Sequence, residues 1–218
     1  MRQRLRWLYG DQLDWDVRMA VLRAAPPREW SAARAAASLR LIAEVSGMPI
    51  SWRPRVRGVA TIHACRVVVA VRLRWPDRAD AILRRLRVLG MAGELLDDSD
   101  TFELAAAQAG LPVAELAAYC AEPEVEAALR ADMEAARGHG CPAFELAGCR
   151  VDGRRPLPGL ERRPDPASAE AVLEWAGMPL ATAEVAAVCA RPIASVRAEL
   201  TREASFAAGY WGANLGPS

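Results

Sequence analysis

Apolar and polar positions change their period several times along this 218-residue chain. Residues 5–9 (Leu-Arg-Trp-Leu-Tyr) alternate imperfectly and stop at Gly10-Asp11, which predicts a short strand running into a loop. Residues 15–25 accommodate one or two helical turns before Pro26-Pro27 breaks them. The alanine-rich run 28–45 places Ala35, Leu39, Ile42 and Ala43 on one face and closes at Gly47, predicting a long helix. Residues 50–54 predict a second strand, ended by Pro54.

Helical periods then dominate residues 61–138. Within that block, 62–74 is β-branched enough to suit a strand locally, whereas 77–89 carries a helical set in Ala81, Leu83, Leu86 and Val88. Asp97, Asp98 and Asp100 are N-cap candidates, and Asp100 with Glu103 resembles a capping box. Gly110 stops that helix, and Pro112 suits the first turn of a short one over 111–120. Pro123 opens a longer helix whose face is Val125, Leu129 and Met133. The texture changes at residues 142–153, which predict a β-hairpin turning at Ala147-Gly148. A proline- and arginine-rich loop leads to helices over 167–176, 182–189 and 192–204. The order strand, helix, strand, helical block, hairpin, helix predicts an α/β, thioredoxin-like fold with a large all-helical insertion and a helical C-terminal tail. Its parts are a thioredoxin-like domain at 1–60 and 139–178, an insertion at 61–138 and an appendage at 179–218.

Composition narrows the function. The hydrophobic share of 52% and charged share of 25% are those of a globular protein, and a net charge of +1 gives no broad polyanion-binding surface. All 28 basic residues are arginine, scattered among Asp and Glu, which reads as a compositional bias rather than an anion site. No run of about 18 apolar residues predicts a membrane span. The basic start Met1-Arg2-Gln3-Arg4 is not followed by the apolar core of an export signal. Five cysteines without a Cys-x-x-Cys pair then imply reduced thiols and a cytoplasmic location.

Several local words resemble the DsbA family, in its FrnE-like and 2-hydroxychromene-2-carboxylate-isomerase-like branches. Gly10-Asp11-Gln12-Leu13-Asp14-Trp15-Asp16 sits where that family carries Cys-x-Trp-Cys or a variant, and Trp52-Arg53-Pro54 is similar to the end of its second strand. Ala64-Cys65-Arg66-Val67-Val68 resembles the opening of its helical insertion, and Gly140-Cys141-Pro142-Ala143-Phe144 the loop with its cis-proline. The resemblance implies thiol–disulfide or isomerase chemistry, yet aligning Trp15 with the family tryptophan puts Leu13 and Asp16 in the two cysteine positions. A one-residue deletion would put Asp14 in the first. Neither leucine nor aspartate exchanges disulfides, so the expected active site is degenerate.

Cys141 beside His139 is the remaining thiol candidate, set against a plain apolar filler. Cys65, Cys120 and Cys189 read as core residues. His63 and His139 form no zinc spacing, and Asp11, Asp14 and Asp16 read as helix caps, so no metal or cofactor is expected. The last two helices have helix-turn-helix spacing, but Glu199 and Glu203 offset Arg197 and Arg202, so no nucleic acid is expected and a packing appendage is preferred. Tyr210-Trp211 either anchors a homodimer contact or folds back on the core.

Three functions stay open. The first is a non-redox protein binding a small molecule or a protein partner at a groove formed by Leu13, Asp14, Trp15, Asp16, Cys141 and Pro142. The second is an enzyme reusing that groove, through Cys141 or by isomerase-like chemistry on an aromatic carboxylate. The third is an interaction protein acting through its helical insertion and tail.

Overall fold

The computed structural model describes residues 1–139, 143–146, 149–151, 155–207 and 209–212. The chain is predominantly helical and divides into two compact units. The first comprises Met1–Trp15, Leu41–Pro49 and Pro142–Ser218, and the second Asp16–Arg40 and Ile50–Cys141.

Neither of the two expected N-terminal strands is present. Helix α1 (Arg2–Tyr9) takes the place of the first, and residues 50–54 have no regular structure. The run Leu-Arg-Trp-Leu-Tyr satisfies either period, and the helix prevails because Leu5, Leu8 and Tyr9, spaced i, i+3, i+4, are buried together with Leu157. A strand would have turned Leu8 to the opposite side from Leu5 and Tyr9. Among the described residues, strands occur only as two antiparallel hairpins, β1 (Glu145–Leu146) with β2 (Cys149–Arg150), and β3 (Ser205–Ala207) with β4 (Tyr210–Gly212). The first coincides with the hairpin expected near residue 147. Among the described residues no central sheet of the thioredoxin kind joins them.

In the first unit, α8 (Ala169–Ala176) starts at Ser168, whose hydroxyl accepts from Ala171 N–H at 3.1 Å, and ends at left-handed Gly177. Helices α9 (Thr182–Cys189) and α10 (Ile193–Glu203) follow. Val172, Leu173, Leu180, Val185, Val196, Leu200 and Trp211 form one buried cluster. The tail therefore folds back on its own core: Trp211 exchanges two backbone hydrogen bonds with Leu180, at 2.8 and 2.9 Å, and its indole N–H donates to buried Thr182 at 2.8 Å. Helix α1 is tied on by Arg4, only 8% exposed, whose guanidinium donates to Val188 C=O at 2.7 Å and contacts Asp165 at 3.3 Å. A cation at the end of α9 satisfies carbonyls that the helix itself leaves without donors.

The second unit is organised around α3 (Ile62–Arg74). Its five consecutive residues Val67, Val68, Val69, Ala70 and Val71 are all buried, so the helix is apolar all round and lies at the centre. Burial of each such valine contributes about 1.5–3 kcal/mol, which overrides the β propensity that made this segment look like a strand. Around it pack α4 (Ala79–Ala92), α5 (Ser99–Gln108), α6 (Val113–Tyr119) and α7 (Pro123–Ala135). Asp98 caps α5 and accepts from Asp100 N–H at 3.2 Å. Asp97 turns away to accept from Arg57 and from Ala60 N–H. Burial opposes the charge on Asp97, but these donors outweigh it and hold its pKa below the ordinary range. Helix α2 (Ala32–Ser46) spans the division between the units. Its half-buried stripe is Ala32, Ala35, Ala36, Leu39 and Ala43, while Ile42, expected inside, is 50% exposed.

Residues 15–25 form no helix. Burial instead alternates from Leu13 to Met19, with Asp14, Asp16 and Arg18 outward. Val17, Met19 and Val21 pack on the core of the second unit. Side chains replace the missing strand partners. Met19 N–H donates to Asp132 at 2.9 Å, Val17 C=O accepts from Arg72, and Leu22 and Arg23 N–H donate to Thr61 Oγ1 at 3.0 and 2.9 Å. Asp132 is completely buried on α7, whereas Met133, expected on that face, is 37% exposed. Arg72 grips both Asp132 oxygens, at 2.9 and 3.0 Å, and Arg18 adds a third cationic contact at 3.2 Å. Asp132→Ala would leave Arg72 half-buried without its anion and Met19 N–H without an acceptor. We expect a loss of about 3–5 kcal/mol in urea unfolding, with loss of hydrogen-exchange protection at the Met19 amide. A change below about 1 kcal/mol, the level of an exposed pair, would refute this role for the carboxylate.

Candidate ligand-binding site

Four helices of the second unit wall a cavity of about 570 Å³. Three of them contribute a single i, i+3, i+4 stripe: His63, Arg66 and Val67 from α3, Ser99, Phe102, Glu103 and Ala106 from α5, and Val113, Leu116, Ala117 and Cys120 from α6 and its end. Glu126 on α7 closes one side. The floor is apolar, made by Val67, Phe102, Ala106, Val113 and Leu116. The charged lining residues are Arg66, Glu103 and Glu126, of which Arg66 and Glu126 pair at 3.0 Å. A volume within the range of about 300–1,000 Å³, apolar walls and a few placed polar groups are the attributes of a small-molecule site.

The local sequence explains why the space exists. Short side chains, Ala106 and Ala117, stand where α5 and α6 face the cavity, and Pro112 with Gly110 sets the tight connection between those helices. Gly110 has φ +69°, a left-handed turn that a branched residue would strain. Outside the cavity, Tyr119 donates its hydroxyl to Glu124, which raises its pKa, and the Arg74 guanidinium lies 5.0 Å from its ring centre. These contacts brace the C-terminal end of α6.

The cavity carries no activated nucleophile. Burial pushes the Cys120 thiol up, and the neighbouring Arg66 charge only partly opposes that. In the first unit, burial pushes the Cys189 thiol up to about 11. Both behave as the small core residues that the sequence suggests. Among the described residues, no group of three or more His, Cys, Asp or Glu side chains is arranged to hold a metal ion. No described helix is long and apolar enough to cross a membrane.

Of the residues singled out from the sequence, Leu13, Asp14, Trp15 and Asp16 do not line this cavity. Cys141 and Pro142 are outside the described residues. Leu13 and Trp15 are half-buried in the small cluster around Leu5 and Leu8, with Arg2 5.5 Å from the Trp15 ring centre. Asp14 is exposed, and Asp16, also exposed, pairs with Arg18 at 2.7 Å. No helix starts between residues 13 and 31, so Asp14 and Asp16 cap none, Asp11 lies inside the single 3-10 turn Gly10–Gln12, and no helix dipole acts on the Leu13 position. In the sequence the cavity walls read as ordinary core faces, and only the alanines of the α5 and α6 stripes, Ala106 and Ala117, set them apart.

No protein-family model matches the chain, and no curated protein matches it either.

A raised Cys120 pKa has a direct consequence. At neutral pH a maleimide or iodoacetamide probe should label exposed Cys149 before Cys120, by at least about tenfold in rate, because the thiolate is the reacting form. Peptide mapping of partially labelled protein measures the ratio, and equal rates would contradict the burial of this thiol.

Proposed function

We propose that the protein binds a small, largely apolar molecule in the cavity between α3, α5, α6 and α7. The observation that carries this reading is the cavity itself, about 570 Å³ with an apolar floor. Interiors pack to crystal-like density, and apolar walls left in contact with water forgo about 25 cal/mol for each Å² that a ligand would cover. The body of such a ligand lies against Phe102, Leu116 and Val67. Its head meets Arg66 and Glu126, which already neutralise each other, so a neutral group with both donors and acceptors suits them better than a free charge.

A thioredoxin-like, DsbA-related origin with residual groove chemistry is the second reading. It is favoured by the β1–β2 hairpin preceding α8, and it lacks strands at residues 5–9 and 50–54 to pair with that hairpin. With Leu13 and Asp16 in the dithiol positions, no reduction of insulin is expected from the purified chain. Turnover abolished by Cys141→Ser would move the function to that thiol.

The cavity reading is tested with the neutral dye N-phenyl-1-naphthylamine. Saturable, one-to-one fluorescence enhancement is expected. Ala117 is exposed and lines the cavity, so Ala117→Trp fills it without disturbing the core and should weaken dye binding by at least about tenfold. Non-saturable enhancement, or equal affinity in the variant, would remove the cavity as the site.

A further inference from the structure

The described residues from Thr182 to Gly212 form a helix-turn-helix with a hairpin behind it. Helix α9 leads through Ala190, Arg191 and Pro192 into α10, and β3 and β4 follow at once, with Phe206 opposite Trp211. Leu180, just before α9, pairs with Trp211, so the hairpin closes against the segment joining α8 to α9. The turn is sharply defined. Ala190 is the one non-glycine residue with positive φ among the described residues, at 53°, and Arg191 N–H donates to Ala186 C=O at 3.1 Å. A three-residue turn between two short helices, the second presented outward, is the geometry that places a helix in the major groove of DNA.

Glu199, one of the two carboxylates set against Arg197 and Arg202, does not face outward with them. Its carboxylate accepts from Ala169 N–H at 2.7 Å and pairs with Arg191 at 2.6 Å, turned towards the start of α8. These contacts lower its pKa, the Ala169 N–H foremost, so the carboxylate stays charged and held there. Val196 and Leu200 are fully buried in the same direction. What remains outward is Ala194, Ser195, Arg197, Ala198, Thr201 and Arg202, all exposed. The Glu203 side chain lies outside the described residues. This face has two guanidinium groups, two hydroxyls and two alanines small enough for close approach, and no large apolar side chain of the kind that anchors protein interfaces.

We propose that α10 is a DNA-reading helix, with Arg197 and Arg202 contacting phosphates or guanine edges and Ala194, Ser195 and Ala198 allowing entry to the groove. Duplex DNA fits better than duplex RNA, whose major groove is too deep and narrow for a helix. The test uses the full chain and a random-sequence pool of duplexes of about 20 bp, two helical turns, with bound sequences selected and then measured by fluorescence anisotropy. Binding is expected to weaken steeply as salt rises from about 50 to 200 mM. Arg197→Ala and Arg202→Ala should each weaken it about tenfold. Ala194→Glu should weaken it at least as much while leaving thermal stability equal or higher, because a carboxylate suits the first turn of a helix but repels phosphate. No duplex binding at about 50 mM salt, or affinities unchanged in all three variants, would overturn the proposal. So would a preference for single-stranded RNA, or a purified protein partner bound through these arginines in place of DNA.

Discussion

Asp132 is the constraint on which the second unit rests. A carboxylate buried on α7 is tolerable only because Arg72 from α3 meets both its oxygens and a backbone N–H from the segment around Met19 meets one of them again. This arrangement sets the register of three pieces of chain distant in sequence. It holds α7 against the central helix, and it lets an extended segment lie on a helical surface without a sheet to satisfy its backbone. Thr61 does the same at the other end of that segment, where Arg23 C=O in turn accepts from the N–H groups of Thr61 and Ile62 that open α3.

The first unit uses the same principle with fewer charges. Arg4 supplies the end of α9 with donors, Glu199 supplies the start of α8 with an acceptor, and Trp211 is fixed at both its backbone and its indole N–H. Each of these polar groups is spent on structure, which decides what is left for function. Glu199, once committed inward, no longer cancels the arginines of α10. On α3, by contrast, Arg66 stays at the cavity rim with a partner exposed enough to rearrange around a ligand. Polar residues that a linear reading treats as one surface thus separate into a structural set and an available set.

The two functional readings draw on different units and on different physics. The cavity depends on what the core omits, through alanines at positions where larger residues would have filled it. The α10 face depends on small and cationic side chains held outward by a rigid turn. Neither requires an activated thiol, in keeping with the raised pKa values of Cys120 and Cys189.

Long, capped, periodic segments were legible from the sequence alone: Asp98 before α5, Pro123 at the start of α7, and the two helices flanking Arg191. Their signals are local, since a cap or a proline acts within one turn whatever surrounds it. The helix at residues 2–9 and the extended course of residues 15–21 were not legible as such. Residues 62–74, by contrast, belong to the block read as helical, although their β-branched content would suit a strand locally. Short apolar runs fit either period, and the choice belongs to whichever face finds a partner. The strict alternation from Leu13 to Met19 was in the sequence, but its partners are side chains from positions 61, 72 and 132, which no local window contains. The inward turn of Glu199, the burial of Asp132 in place of Met133 and the opening between α5 and α6 were likewise decided only by tertiary packing. A side chain's position on a helix fixes its direction, but what it meets there depends on chain far away.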